Sequence, residues 1–119
     1  MRRYELAAET MVVSRGGEVS ESNAVPSERV RRDDPSELVR AVEALDRSQL
    51  ASVVVALDDA CSEGTAEEQS ECVVALASAL VGLGVEAFET RHVISVNRIF
   101  ATHRAISSGS LGADAGVNI

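Results

Sequence analysis

From residue 35 onward the apolar positions recur at helical spacing. Asp34-Pro35-Ser36-Glu37 offers an N-cap acid, a proline for the first helical position and a glutamate one turn in. Leu38, Ala41, Val42 and Leu45 follow, which predicts a helix over 35–46. Leu50, Val53, Val54, Leu57 and Cys61 then form one narrow stripe, predicting a second helix over 48–62 that Gly64 stops. Thr65-Ala66-Glu67-Glu68 is a capping box for a third helix over 66–83. Its run from Cys72 to Leu83 is apolar nearly all round, the pattern of a helix at a bundle centre or a subunit contact. A fourth helix is predicted over 86–106, with Phe88, His92, Val96, Ile99, His103 and Ile106 on one face. The β-branched content of 92–100 also suits a strand, but the longer pattern favours helix.

The pattern is weaker at both ends. Residues 1–13 fit a short helix or a strand. Residues 14–34 dissolve into glycine, serine, proline and charge, which reads as a flexible linker. Its cluster of Arg29, Arg31 and Arg32 is countered at once by Asp33 and Asp34. Residues 107–119 are rich in serine and glycine and predict a loose tail. The resulting expectation is an all-α protein: an N-terminal segment over 1–34, a four-helix bundle over 35–106 and a disordered tail over 107–119. Short loops make consecutive helices antiparallel neighbours.

Composition changes this picture in three ways. The only aromatics in the 119 residues are Tyr4, Phe88 and Phe100, so small aliphatics must fill the core. A core completed by a second copy follows, and a homodimer is expected. The chain has eleven basic residues, all arginine. Without lysine, Schiff-base chemistry and a P-loop are excluded. Finally, the net charge of −8 is divided unevenly, with −9 over residues 33–72 and +3 over residues 90–106. The acidic block argues against nucleic-acid binding, which needs clustered positive charge.

Arg2 and Arg3 could open a signal peptide, but Glu5 and Glu9 interrupt its apolar stretch. The apolar run Cys72–Val85 is too short to span a bilayer. A cytoplasmic protein with no membrane association is therefore expected. Cys61 and Cys72 are expected to be buried, reduced thiols. Their spacing with His92 and His103 is not that of a zinc module.

Three constellations have the residue types of chemistry. Glu89-Thr90-Arg91-His92 would place a carboxylate and an imidazole one helical turn apart, as metal ligands stand in helical bundles. One motif per chain makes Glu89 and His92 half a site, to be completed across a dimer with Glu43, Glu67, Glu68 or Glu71. Arg98 and His103 have an Arg-x4-His spacing that resembles HEPN-type ribonucleases, themselves small helical bundles. That resemblance covers six residues and implies His103 as acid/base and Arg98 as the group stabilising phosphorane charge. Ile99 stands where the family usually has a polar residue. Glu68, Glu71, Glu86 and Glu89 loosely resemble the paired acidic motifs of MazG-type nucleotide pyrophosphatases, whose glutamates hold magnesium. Glu89 stands there in place of the family's aspartate, and helix starts favour acids regardless.

No constellation rises above what this composition produces by chance. The expected function is therefore a non-enzymatic interaction or regulatory module acting on a protein partner through a helical surface, with no cofactor. The alternatives are a dimeric metal-binding protein using Glu89 and His92, and a nuclease or nucleotide hydrolase using Arg98 and His103.

Overall fold

The structure, a computed structural model, describes residues 6–108. It corrects the all-α expectation, because the chain folds as an α/β layer with a five-stranded mixed sheet. Strands β1 (Met11–Ser14) and β2 (Val19–Glu21) form an antiparallel hairpin, and β3 (Glu28–Val30) follows. Strands β2 and β3 thus come from the region expected to be a linker, and β1 from the stretch that fits either helix or strand. Helices α1 (Pro35–Glu43) and α2 (Arg47–Leu50) lead into β4 (Val53–Ala56), and α3 (Ala66–Gly82) leads into β5 (Ala87–Thr90). Helix α4 (Val93–Ser107) completes the described chain. The expected tail over 107–119 lies outside the described residues from 109 onward.

The first and third helices start where the sequence signals them, whereas α4 starts at Val93 rather than at 86. Asp34 accepts from the amides of Ser36 and Glu37 and caps α1. Thr65 and Glu68 make a reciprocal capping box at α3. Asp46 and Gln49 make a second one, but the helix it opens is only one turn long. The expected helix over 48–62 is instead α2, then β4, then a 3-10 turn over Asp58–Cys61. Val53, Val54, Val55 and Ala56 are all buried, so this strand is covered on both faces. Such a strand reads as a continuous apolar run, and three consecutive valines favour extended backbone. Likewise, the expected helix over 86–106 breaks into β5 and α4 at Arg91-His92.

Strand order is β2-β1-β5-β4-β3. Strands β3, β4 and β5 run parallel, and β1 joins β5 antiparallel. The two parallel crossovers step through the sheet in the same direction, so right-handed connections put their helices on one face. Leu38 and Val42 of α1, Val73, Leu76, Ala77 and Leu80 of α3, and Val96 and Phe100 of α4 share one core with Val13, Val55 and Phe88 of the sheet. The rings of Phe88 and Phe100 meet at 5.4 Å between centroids, tying the central strand to the last helix.

Helix α3 ends in a Schellman motif. The amides of Gly84 and Val85 donate to the carbonyls of Val81 and Leu80. Gly84 has φ of 104°, a left-handed conformation that costs a residue with a Cβ about 1–2 kcal/mol. Arg15 donates to the carbonyls of Val81 and Val85 from the side of Phe100, placing positive charge at this helix end.

Cys61 and Cys72 are joined by a disulfide, with Cα atoms 5.7 Å apart, so they are not the reduced thiols expected. The bond fastens the 3-10 turn after β4 to the second turn of α3. Disulfides persist in oxidising compartments and are rare in cytosol, so this bond and a cytoplasmic location pull in opposite directions. Among the described residues, no helix is long and apolar enough to cross a membrane.

Among the described residues, no α-helix packs on the second face of the sheet, which is crossed by a segment that opens with a 3-10 turn over Ser22–Ala24. Strand β2 lies at one edge and β3 at the other, so residues 22–27 must cross the whole sheet. Four strand spacings amount to about 19 Å, which seven peptide steps reach with little slack. This strap passes over the side chains that point away from the core, among them Glu89 and Arg29.

Candidate interaction surface

Helices α3 and α4 each return from a parallel strand, so they lie side by side and point the same way. Each turns one face into the core. Between their outward faces runs a groove of about 440 Å³. Its apolar lining is Val74 and Val81 from α3 with Ile99 and Ile106 from α4. Ser78, Ser95 and Thr102 add small hydroxyls, and Arg98 and His103 supply its only ionisable groups.

On its outward side α3 carries small residues, of which Ser78 lines the groove. Ala75, Ser78, Ala79 and Gly82 are all exposed, and a Cβ added at Gly82 would meet nothing within 4 Å. Val74 and Ile106 remain 38% and 60% exposed, well outside the core. The sequence correctly marks α3 as apolar beyond its core-facing stripe. It does not indicate that α4 lies beside that excess.

Arg98 and His103 therefore come to line one groove, but in an α/β fold. The helical bundle implied by the HEPN-type resemblance is not present. Glu89 and His92 are not brought together as a ligand pair. Residues 87–90 are a strand, in which neighbouring side chains point to opposite faces, so the helical Glu-x-x-His geometry does not arise. Glu68 is used in the capping box of α3, near the carboxyl end of β4, whereas Glu86 precedes the start of β5 at the opposite end of the sheet. The four glutamates of the MazG-type pattern are thus dispersed. Among the described residues, no group of three or more His, Cys, Asp or Glu side chains is placed to hold a metal ion.

Glu89 instead lies under the strap. It accepts from the Ser22 hydroxyl and from Arg29 Nε at 2.9 Å, and forms an ion pair with Arg31 Nη2 at 2.9 Å. Ala56 is its neighbour on β4, and this small side chain leaves room for arginines from the next strand to reach across. Burial pushes the Glu89 carboxyl upward, but the Ser22 hydroxyl and the two guanidiniums outweigh it and hold the group below its usual range. Arg29 also donates to the carbonyls of Ser22 and Ser27, fixing both ends of the crossing.

His92 sits on the helix side, just before α4, and is 7% exposed. Burial lowers its pKa from the ordinary value; the nearby Asp58 carboxylate opposes this and Arg91 adds to it. Asp58 was not singled out from the sequence. Its two oxygens accept from Thr90 Oγ1 at 2.7 Å and from the Arg91 amide at 2.8 Å. The His92 amide donates to the same Thr90 hydroxyl. The carboxyl ends of parallel strands are where α/β sheets usually take ligands. Here both oxygens of Asp58 are engaged in fixing the turn from β5 into α4. Compared with known proteins, the chain matches no family model, no curated protein and no solved structure.

Proposed function

We propose that this protein is a non-enzymatic interaction module that binds a protein partner through the α3/α4 surface. The observation that carries this reading is the groove itself. Val74 and Ile106 stand exposed on its walls, and Val81 and Ile99 form a floor continuous with the core. Apolar side chains gathered in an open trough, rather than scattered singly, mark an association surface. Two acids beside the sheet are engaged in holding the fold: Glu89 with two arginines, and Asp58 with the turn before α4.

A photo-crosslinking residue at Ser78, in the groove, tests this in cells that express the protein. A residue at the exposed Asp33, on the loop before α1, is the control. A discrete adduct is expected from Ser78 only, and Ile99→Glu should remove it. An adduct of twice the chain mass would identify the partner as a second copy. Absence of any adduct from Ser78, or equal labelling at Asp33, would count against the reading.

A further inference from the structure

The occupant of the groove can be narrowed, and this step rests on the reading of the α3/α4 face as an interaction surface. The trough follows α4 from Ser95 to Ile106, about 16 Å at 1.5 Å per residue. That is the length of three helical turns. Its walls are two helices whose backbone groups bond within each helix, so the trough offers no free amides or carbonyls to an added strand. Recognition must come from side chains. A third helix laid between two parallel ones does this by placing its own apolar ridge in the trough.

Charge sets the other half of the requirement. The chain carries −8 overall, yet α4 has no acid and brings Arg98 and His103 to the groove; Arg104 is turned away, donating to the Arg15 carbonyl. No carboxylate lines the groove. Arg98 is exposed and makes no ion pair among the described residues. The cavity on the other face of the sheet shows the contrast, since its only charged lining residues are Glu18 and Glu86. A partner bearing carboxylates is repelled by the molecule's net charge and attracted at Arg98 in this groove, which orients its approach.

An anionic membrane is the less suitable target. Lipid recognition by charge uses clusters of about four to eight basic residues, and a net negative protein is repelled by such a surface. A concave trough also suits a helix better than a plane.

We infer that the α3/α4 groove takes an amphipathic helix of about three turns, with its apolar edge in the trough and carboxylates facing Arg98. Two synthetic helical peptides test this. They share leucines at i, i+3, i+4, i+7 and i+11, and carry either glutamates or lysines beside that stripe. Titrated by fluorescence anisotropy, the glutamate peptide should bind saturably and the lysine peptide at least about tenfold more weakly. Arg98→Glu, an exposed change whose folding circular dichroism can verify, should reverse that order. Raising the salt several-fold should weaken the glutamate peptide.

Equal binding of both peptides, or no effect of Arg98→Glu, overturns the inference. So does preferential binding to phosphatidylglycerol vesicles. If neither peptide binds while Ser78 still forms its adduct, the acidic helix is wrong and the interaction surface stands. If Ser78 forms none, the surface itself is wrong.

Discussion

The two faces of the sheet are built on opposite principles. The face toward the helices is dry: Val13, Val55 and Phe88 meet Leu38, Leu80, Val96 and Phe100. The face under the strap also buries Val12, Val54 and Ala56, but its strap is pinned by charge, with Glu89 at 6% exposure between Ser22, Arg29 and Arg31. Helices cover a sheet by area, so their packing is apolar and tolerant of position. A six-residue strap has little area to bury and must be pinned at specific atoms. One face therefore stores most of the stability, and the other fixes the path of one connection.

Phe100→Ala should have the largest effect, because it opens the aromatic contact between helix and sheet. A loss of about 4 kcal/mol in urea unfolding is expected, close to the whole stability of a marginal domain of about 5–15 kcal/mol. A loss below that of Glu89→Gln would dissolve the contrast between the faces.

Reduction of Cys61–Cys72 comes second. It releases a loop with a sequence separation of 11 on the helix side, and chain entropy puts its effect at about 3 kcal/mol. Thiol titration in non-reducing denaturant should find no free cysteine. Amide exchange over residues 22–27 should not respond to reduction, since the strap has its own anchors.

Glu89→Gln should cost about 2 kcal/mol, less than a fully dry ion pair because Arg31 is half exposed. It should also raise exchange over 22–27 while leaving α3 protected. If exchange instead rose over α3, the strap would not be the element that Glu89 holds.

Acid should produce the smallest steps, in separate windows for the two faces. His92 has its folded pKa below the ordinary 6.5, so the unfolded chain takes up that proton first. Its contribution is complete above about pH 6.5 and fades as the pH falls toward the lowered value. Glu89 is likewise held below its ordinary 4.5, so its contribution is lost only at lower pH. Urea midpoints measured against pH should show both declines. Glu89→Gln should reduce the lower one, to which Asp34, Asp46 and Glu68 also contribute, while leaving the upper one unchanged.

Part of this design is legible in the chain. The starts of α1 and α3 follow from Asp34-Pro35 and Thr65-x-x-Glu68 because capping is local chemistry. The apolar excess of α3 is also visible, and it is what leaves Val74 on an outer wall. By contrast, Val53–Val55 and Phe88–Thr90 were read as helix because apolar residues at i, i+3 and i+4 also occur in a strand buried on both faces. The arginines at 29 and 31 looked like a linker cluster neutralised by Asp33 and Asp34. Their partner is Glu89, which lies 60 residues from Arg29, and no local pattern announces a pairing at that distance.

By itself, the sequence determined where α1 and α3 begin, how charge is divided along the chain, and which chemistry the absence of lysine removes. These depend on residue type and near neighbours. Tertiary structure alone decided that 19–30 would supply strands, that Glu89 would become an anchor rather than a ligand, and that Arg98 and His103 would line a groove. Each of these outcomes depends on which side chains meet across the sheet or between helices, and such contacts join residues with no shared periodicity.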